Sequence, residues 1–187
     1  MTSKPKISKH GGMTFIEVLI ALFILVTGII GAVATQASAK KGSFDAMQRS
    51  LASSLAQDII ERMRNNQSSG AFLENYEGTY GAGSSAPASR CNTAASLCTP
   101  LEMVANALYE WEQTLLGSEV KSGSNNHGGL LGATGCISHN NNSVTVVVSW
   151  EGRFESTDAG AANIAFASSC GTSSKKRRQV VIQAFIY

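Results

Sequence analysis

The chain has 187 residues, 43% of them hydrophobic and 15% charged, with a formal net charge of +2. That length holds one ordinary domain with its own core, or a smaller domain plus a membrane anchor. Lys4, Lys6 and Lys9 supply the positive excess; without residues 1–12 the balance is 12 Lys and Arg against 13 Asp and Glu, a formal charge of −1, which argues against any general affinity for nucleic acid.

From Val18 to Ala34 there is no charged residue, and with Phe15 and Ile16 the apolar run approaches the roughly 20 residues that span a bilayer as a helix. The three lysines ahead of it predict a cytoplasmic amino terminus, with everything after Lys40 on the far side. Glu17 stands just inside the start of this run, where a carboxylate costs about 2.5–3.5 kcal/mol at mid-bilayer and less near the interface. An ordinary secretory signal peptide would be cut after Ala32-Val33-Ala34 or Ala37-Ser38-Ala39, but the apolar stretch exceeds the usual roughly 7–15 residues and contains Glu17. A plain anchor explains the length and leaves Glu17 and the Gly11-Gly12 pair without a purpose.

Phe44, Met47, Leu51, Leu55, Ile59 and Met63 continue at spacings of three and four, with Lys, Arg, Gln and Asp on the other faces, so an amphipathic helix is expected beyond the apolar run. No proline lies between Pro5 and Pro87, and one helix over residues 15–65 would be about 75 Å long at about 1.5 Å per residue. Gly28, Gly31 and Gly42 are its weak points. Residues 66–89 read as a polar Gly/Ser-rich loop. Thr99-Pro100-Leu101-Glu102 is a capping box with proline at the first helical position, and Gly117 ends the helix expected over 101–116. Its buried stripe is Leu101, Val104, Leu108, Trp111 and Leu115; Tyr109 and Trp111 read as packing residues rather than a ligand box. After a Gly- and Asn-rich stretch over 117–135, "SVTVVVSW" (143–150) and "QVVIQAFIY" (179–187) are strand candidates, joined by a strand near Cys136. With no crossover helix between them, the sheet should be antiparallel.

Four cysteines, Cys91, Cys98, Cys136 and Cys170, fall on the side opposite the cytoplasm, where oxidation is favoured. They permit three pairings; the sequential one, Cys91 with Cys98 and Cys136 with Cys170, closes each loop within a local unit. A zinc site using His127 or His139 fits poorly, because neither the gap within the first pair nor the distance to the second matches common ligand spacings. No metal or cofactor is expected. No nucleophile, base and orienting acid form a recognisable arrangement, so catalysis is not expected either. Lys175-Lys176-Arg177-Arg178 reads as a solvated loop, with contact to a neighbouring subunit or to incoming DNA as the alternative.

Gly12 followed by Met13-Thr14-Phe15-Ile16-Glu17-Val18-Leu19 resembles the class III signal of type IV prepilins. The resemblance implies that a membrane aspartic peptidase cuts between Gly12 and Met13, that Met13 becomes N-methylated, and that Glu17, then fifth in the mature chain, pairs with the terminal amine of a neighbouring subunit. "SSLAQDIIERMRNN" (53–66) resembles the segment after the membrane helix in PilV-type minor pilins. The implied fold is α+β and type IV pilin-like, a long amino-terminal helix packed on a carboxy-terminal antiparallel sheet. Residues 1–12 would be a leader, 13–38 the transmembrane and assembly helix, and 39–187 a periplasmic domain. Within that domain, 39–66 is amphipathic helix, 67–142 loop-rich apart from the helix over 101–116, and 143–187 β-rich. The implied role is to help prime pilus assembly in a tip complex, supporting adhesion, twitching motility or DNA uptake. The implied partners are prepilin peptidase, other minor and major pilins and the inner-membrane assembly machinery; the subunit passes from inner membrane to fibre. Glu17 to Leu22 is shared with minor pseudopilins of type II secretion, the nearest alternative; a secreted periplasmic enzyme or binding protein is a more distant one.

Overall fold

The computed structural model describes residues 11–66, 70–93, 98–123, 125–126 and 128–187. The chain divides into two compact units, residues 1–44 and 45–187. Helix α1, Phe15–Asn65, supplies the helical part of the first unit and the opening of the second.

In the first unit the apolar side chains from Phe15 to Val33 are all exposed, as expected of a segment built for a bilayer rather than for a protein core. Two of its hydroxyls bond within the helix: Thr27 donates to the carbonyls of Phe23 and Ile24, and Thr35 to that of Ala32. Such internal bonding is what a segment without water requires.

In the second unit, residues 45–65 of α1 bury Gln48, Ala52, Leu55, Ala56, Ile59, Ile60 and Met63. The buried face is therefore not quite the one that the large apolar residues mark out. Met47 is 61% exposed, and Leu51 is only partly covered. The alanines explain the difference, because Ala52 and Ala56 are fully buried where the helix backbone comes close to its neighbours. Helix α2 occupies Pro100–Leu115, one residue earlier at each end than 101–116. Thr99 caps it, accepting from the backbone N–H of Glu102 while the Glu102 carboxylate accepts from that of Thr99. Val104, Trp111 and Leu115 are buried as the spacing predicts, whereas Leu101, at the helix start, is exposed.

Strands β1 (Gly78–Tyr80), β4 (Thr134–Asn140), β5 (Ser143–Glu151) and β6 (Arg177–Phe185) form one antiparallel sheet in the order β1-β4-β5-β6. Strands β2 (Lys121–Ser122) and β3 (Asn125–Asn126) form a separate short hairpin. Strand β4 is the one expected near Cys136, whereas β1 lies within residues 66–89, which read as loop. Asn141, at φ 52°, turns β4 into β5, a conformation asparagine adopts more readily than most residues.

Both faces of the sheet are covered. Val144, Val146, Val148 and Trp150 join the large core with α1, α2 and Val180. Val147 points the other way, into a smaller cluster with Cys136, Cys170 and Ala167 of helix α3 (Ala165–Ser169). That second cluster is why "SVTVVVSW" alternates only in part: β5 is buried on both sides.

Trp111 ties the large core together. Its indole N–H donates to the carbonyl of Leu55 in α1 at 2.8 Å, and its ring meets Tyr80 of β1 edge-on, 5.6 Å between centroids. The ring lies over Gly135 of β4, where an added Cβ would sit 2.2 Å from Cη2. Gly135→Ala should therefore destabilise the domain by on the order of 1–3 kcal/mol through overpacking. Thermal unfolding followed by near-ultraviolet circular dichroism would show it as a lowered midpoint with a disturbed tryptophan signal.

Candidate functional site

Residues 1–10 of the expected leader lie outside the described residues; Gly11 and Gly12 are the first within them. An added Cβ at either glycine would meet no atom within 4 Å, and neither has a left-handed φ. Among the described residues, nothing therefore asks for glycine at these positions. Met13 is 75% exposed. Glu17 sits in the first turn of α1, where its carboxylate accepts from the backbone N–H of Thr14 at 3.4 Å. This long contact and the positive end of the helix give the carboxylate some local support. A carboxylate has about four acceptor positions, so most of its capacity stays open.

The segment "SSLAQDIIERMRNN" works inside the domain. Arg62 bonds Asp58 at 2.9 Å and reaches across to Glu110 of α2 at 3.0 Å, while Arg90 holds the other oxygen of Glu110 at 3.2 Å. Burial pushes the Arg62 pKa down, but the two carboxylates outweigh it and the net shift is upward. Asn66 donates to the hydroxyl of Tyr76 and to the carbonyl of Pro100. The motif thus joins the end of α1 to the start and middle of α2.

Two buried polar residues of α2 complete this side, and the sequence reading did not single them out. Glu112, 2% exposed, accepts from the backbone N–H groups of Gly81 at 2.6 Å, Gly83 at 3.1 Å and Ser84 at 2.8 Å. Burial alone would raise its pKa; the Ser84 hydroxyl and these amides more than offset that and hold it below the usual carboxylate value. Gly81 (φ 125°) and Gly83 (φ 86°) provide the left-handed backbone that turns those amides inward. Asn106 accepts from the N–H of Cys91 and donates to the carbonyl of Ser89. The available signal was a carboxylate beside Trp111, on the face that also carries Leu108 and Leu115.

The structure joins Cys91 to Cys98 beside α2, and Cys136 to Cys170 on the far face of the sheet. It also divides the basic run. Arg177 is 4% exposed and holds Asp158 through Nε at 2.6 Å and Nη2 at 3.0 Å. Its Nη1 donates to the carbonyls of Ser168, Cys170 and Gly171. Asp158 also accepts from the Ser173 hydroxyl and the Gly160 N–H. The guanidinium first, then Ser173, holds the Asp158 carboxyl well below the usual carboxylate range. Lys176 approaches Glu151 at 3.7 Å, and Arg178 donates to the carbonyl of Phe154. The reading of 175–178 as a solvated loop is corrected here: Arg177 and Arg178 open β6, and Arg177 is a buried fastener.

His127 lies outside the described residues, and His139 Nδ1 lies 3.5 Å from Glu77 Oε1. Among the described residues no three His, Cys, Asp or Glu side chains group as metal ligands.

A family model described as Tt1218-like, type IV pilin Tt1218, matches residues 34–108. The match supports a type IV pilin. It runs from the middle of α1 to the middle of α2 and covers less than half of the chain. The long amino-terminal helix, packed through residues 45–65 on a four-stranded antiparallel sheet, is the pilin-like α+β arrangement, and the exposed apolar start of α1 fits a membrane-anchored pilin. Searches of curated proteins and of solved structures gave no match.

Two outcomes follow for the pilin-like domain. Replacing Cys136 and Cys170 by alanine should destabilise it more than replacing Cys91 and Cys98. The loops span 34 and 7 residues, and in the chain-entropy model they are worth roughly 3.5–4 and 2–2.5 kcal/mol; chemical denaturation of the two double variants gives the comparison. The second outcome concerns acid. A depressed folded-state pKa gives stability that is present above the unfolded carboxylate pKa and lost as pH falls through the folded one. Asp158→Asn should therefore lower the melting temperature at neutral pH and flatten its further fall as the medium is acidified below the usual aspartate range.

Proposed function

We propose that this chain is a PilV-like minor pilin, processed between Gly12 and Met13, N-methylated on Met13, and inserted beside other pilins at a fibre tip to help prime assembly. The observation that carries the reading is the pair formed by a glycine with no steric or conformational reason inside this chain and a carboxylate left open in an exposed apolar helix. A requirement that the fold does not impose is supplied by something outside it. A peptidase working close to the scissile bond accounts for Gly12, and a neighbouring subunit accounts for Glu17.

The chemistry of the second step is local. Glu17 already bonds the Thr14 N–H, one residue after the amine that cleavage would create. A free terminal amine ionises with a pKa of about 7.7–8.0, so it carries positive charge at neutral pH. In the apolar surroundings of packed helices that charge and the Glu17 carboxylate need each other; losing one partner strands the other, at a cost of roughly 3–5 kcal/mol for a buried pair. The partners are accordingly prepilin peptidase, other minor and major pilins, and the inner-membrane assembly machinery. The route runs from the inner membrane, with the folded domain in the periplasm, to the fibre, where the subunit supports adhesion, twitching or DNA uptake and catalyses nothing.

Mass spectrometry of the mature protein tests the processing: the first residue should be a methylated Met13, and Gly12→Leu should abolish it. An amino terminus at Thr35 or Lys40 would overturn the reading. Glu17→Gln separates anchoring from assembly. Insertion and cleavage should persist, while recovery in sheared fibres, or cross-linked to other minor pilins, should fall several-fold; unchanged recovery would remove Glu17 from assembly.

A further inference from the structure

Strand β6 is one edge of the main sheet, and its pairing with β5 fixes which backbone groups face out. In an antiparallel ladder, alternate residues bond to alternate sides. Glu151 N–H bonds the carbonyl of Leu131, on the β4 side of β5; Gly152 N–H bonds Lys176, and Ile186 N–H bonds Asn142. Even-numbered residues of β5 and β6 therefore bond each other, and Val181, Gln183 and Phe185 turn their N–H and C=O groups away from the sheet. Among the described residues, no hydrogen bond engages those outward groups. At the start of the strand, the Gln179 side chain is engaged by Asn163, Ala167 and Cys170, so the edge has a neighbour there; from Val181 onward no described residue bonds to it.

Exposed edges are normally blunted by charge, proline, a bulge or a covering loop, since they otherwise template pairing with another strand. Residues 179–187 contain no charged residue and no proline, and β6 pairs with β5 without interruption. Phe185 is 60% exposed and stacks on Tyr187 at 6.1 Å between centroids.

We infer that the outer edge of β6 pairs antiparallel with the same edge of a second copy of this chain, about a two-fold axis at Gln183. The edge is complementary to itself. With Gln183 opposite Gln183, Val181 lies opposite Phe185 twice on the same face, so each exposed ring is covered by a valine and the two amides bond each other across the axis. Charge selects the direction. Antiparallel pairing sends the two copies of Lys175 and Lys176 to opposite ends, about 50 Å apart at roughly 3.3 Å per residue. Parallel pairing would set them side by side, about 5 Å apart, where like charges repel. The inference is independent of the pilin reading, because it uses only the sheet edge and holds whether or not the subunit enters a fibre.

The test uses the full chain in membrane vesicles. With all four native cysteines in disulfides, Gln183→Cys introduces a single thiol at the axis. In a hydrogen-bonded antiparallel pair the facing Cα atoms lie about 5.5 Å apart, within disulfide reach. Mild oxidation should give a covalent dimer in yield several-fold above that of Lys121→Cys, an exposed position outside the main sheet. Adding Phe185→Pro removes an outward N–H that β5 does not use, so it should abolish the dimer while leaving the melting temperature of the monomer nearly unchanged. If proline unfolds the strand, Phe185→Lys takes its place and blocks the pairing by charge. A cross-link no stronger than that of the Lys121→Cys control, or one that survives both substitutions at 185, overturns the inference.

Discussion

The fit of the Trp111 ring against Gly135 is the constraint around which the domain closes. The tip of an indole can come this close to a strand only where that strand has no side chain, and Gly135 supplies the place. Seated there, the ring brings its N–H to the Leu55 carbonyl and its edge to Tyr80, so a single residue of α2 registers α1, β1 and β4 together. The buried carboxylate next to it fixes the chain that leaves β1. Glu112 can be buried only because three amides turn toward it, and they turn because Gly81 and Gly83 hold left-handed backbone. Packing and polar satisfaction at neighbouring positions of one helix thus specify the same arrangement.

The far side of the sheet follows a different rule. Its cluster around Val147 is small, and apolar burial there is supplemented by a disulfide and by the Arg177–Asp158 pair with its five further bonds. A buried guanidinium is tolerable when its donors are occupied, and Arg177 meets a carboxylate and three carbonyls. The domain therefore has an oily side, organised by a tryptophan, and a wired side, organised by sulfur and charge. Residues 45–65 of α1 belong to the first.

Much of this was legible in the chain. Periodicity located α1 and α2, the Thr99–Glu102 box located the start of α2 almost to the residue, and alternation located β5. What periodicity weighs is size and polarity, so it favoured Met47 over Ala52 although the close approach of α1 is made by the alanines. It also read Arg177 by its charged neighbours, since the partner that buries it, Asp158, lies 19 residues away in a segment with no pattern of its own. Strand β1, three residues long, has no signal separable from a loop. The amino-terminal segment was the reverse case: the sequence speaks clearly there, and among the described residues none has a use for glycine at position 12.

The 34-residue bridge between Cys136 and Cys170 has one more consequence. It encloses β5 and the irregular connection after it, of which residues 153–157 are exposed. A protease cutting in that stretch would separate β5 from β6 along the chain, yet the disulfide would keep the two pieces covalently joined, and β6 would stay bonded to β5 along its length. The break would become a scar instead of a loss, visible on a gel only after reduction. Tolerance of one broken peptide bond is a form of durability separate from thermodynamic stability.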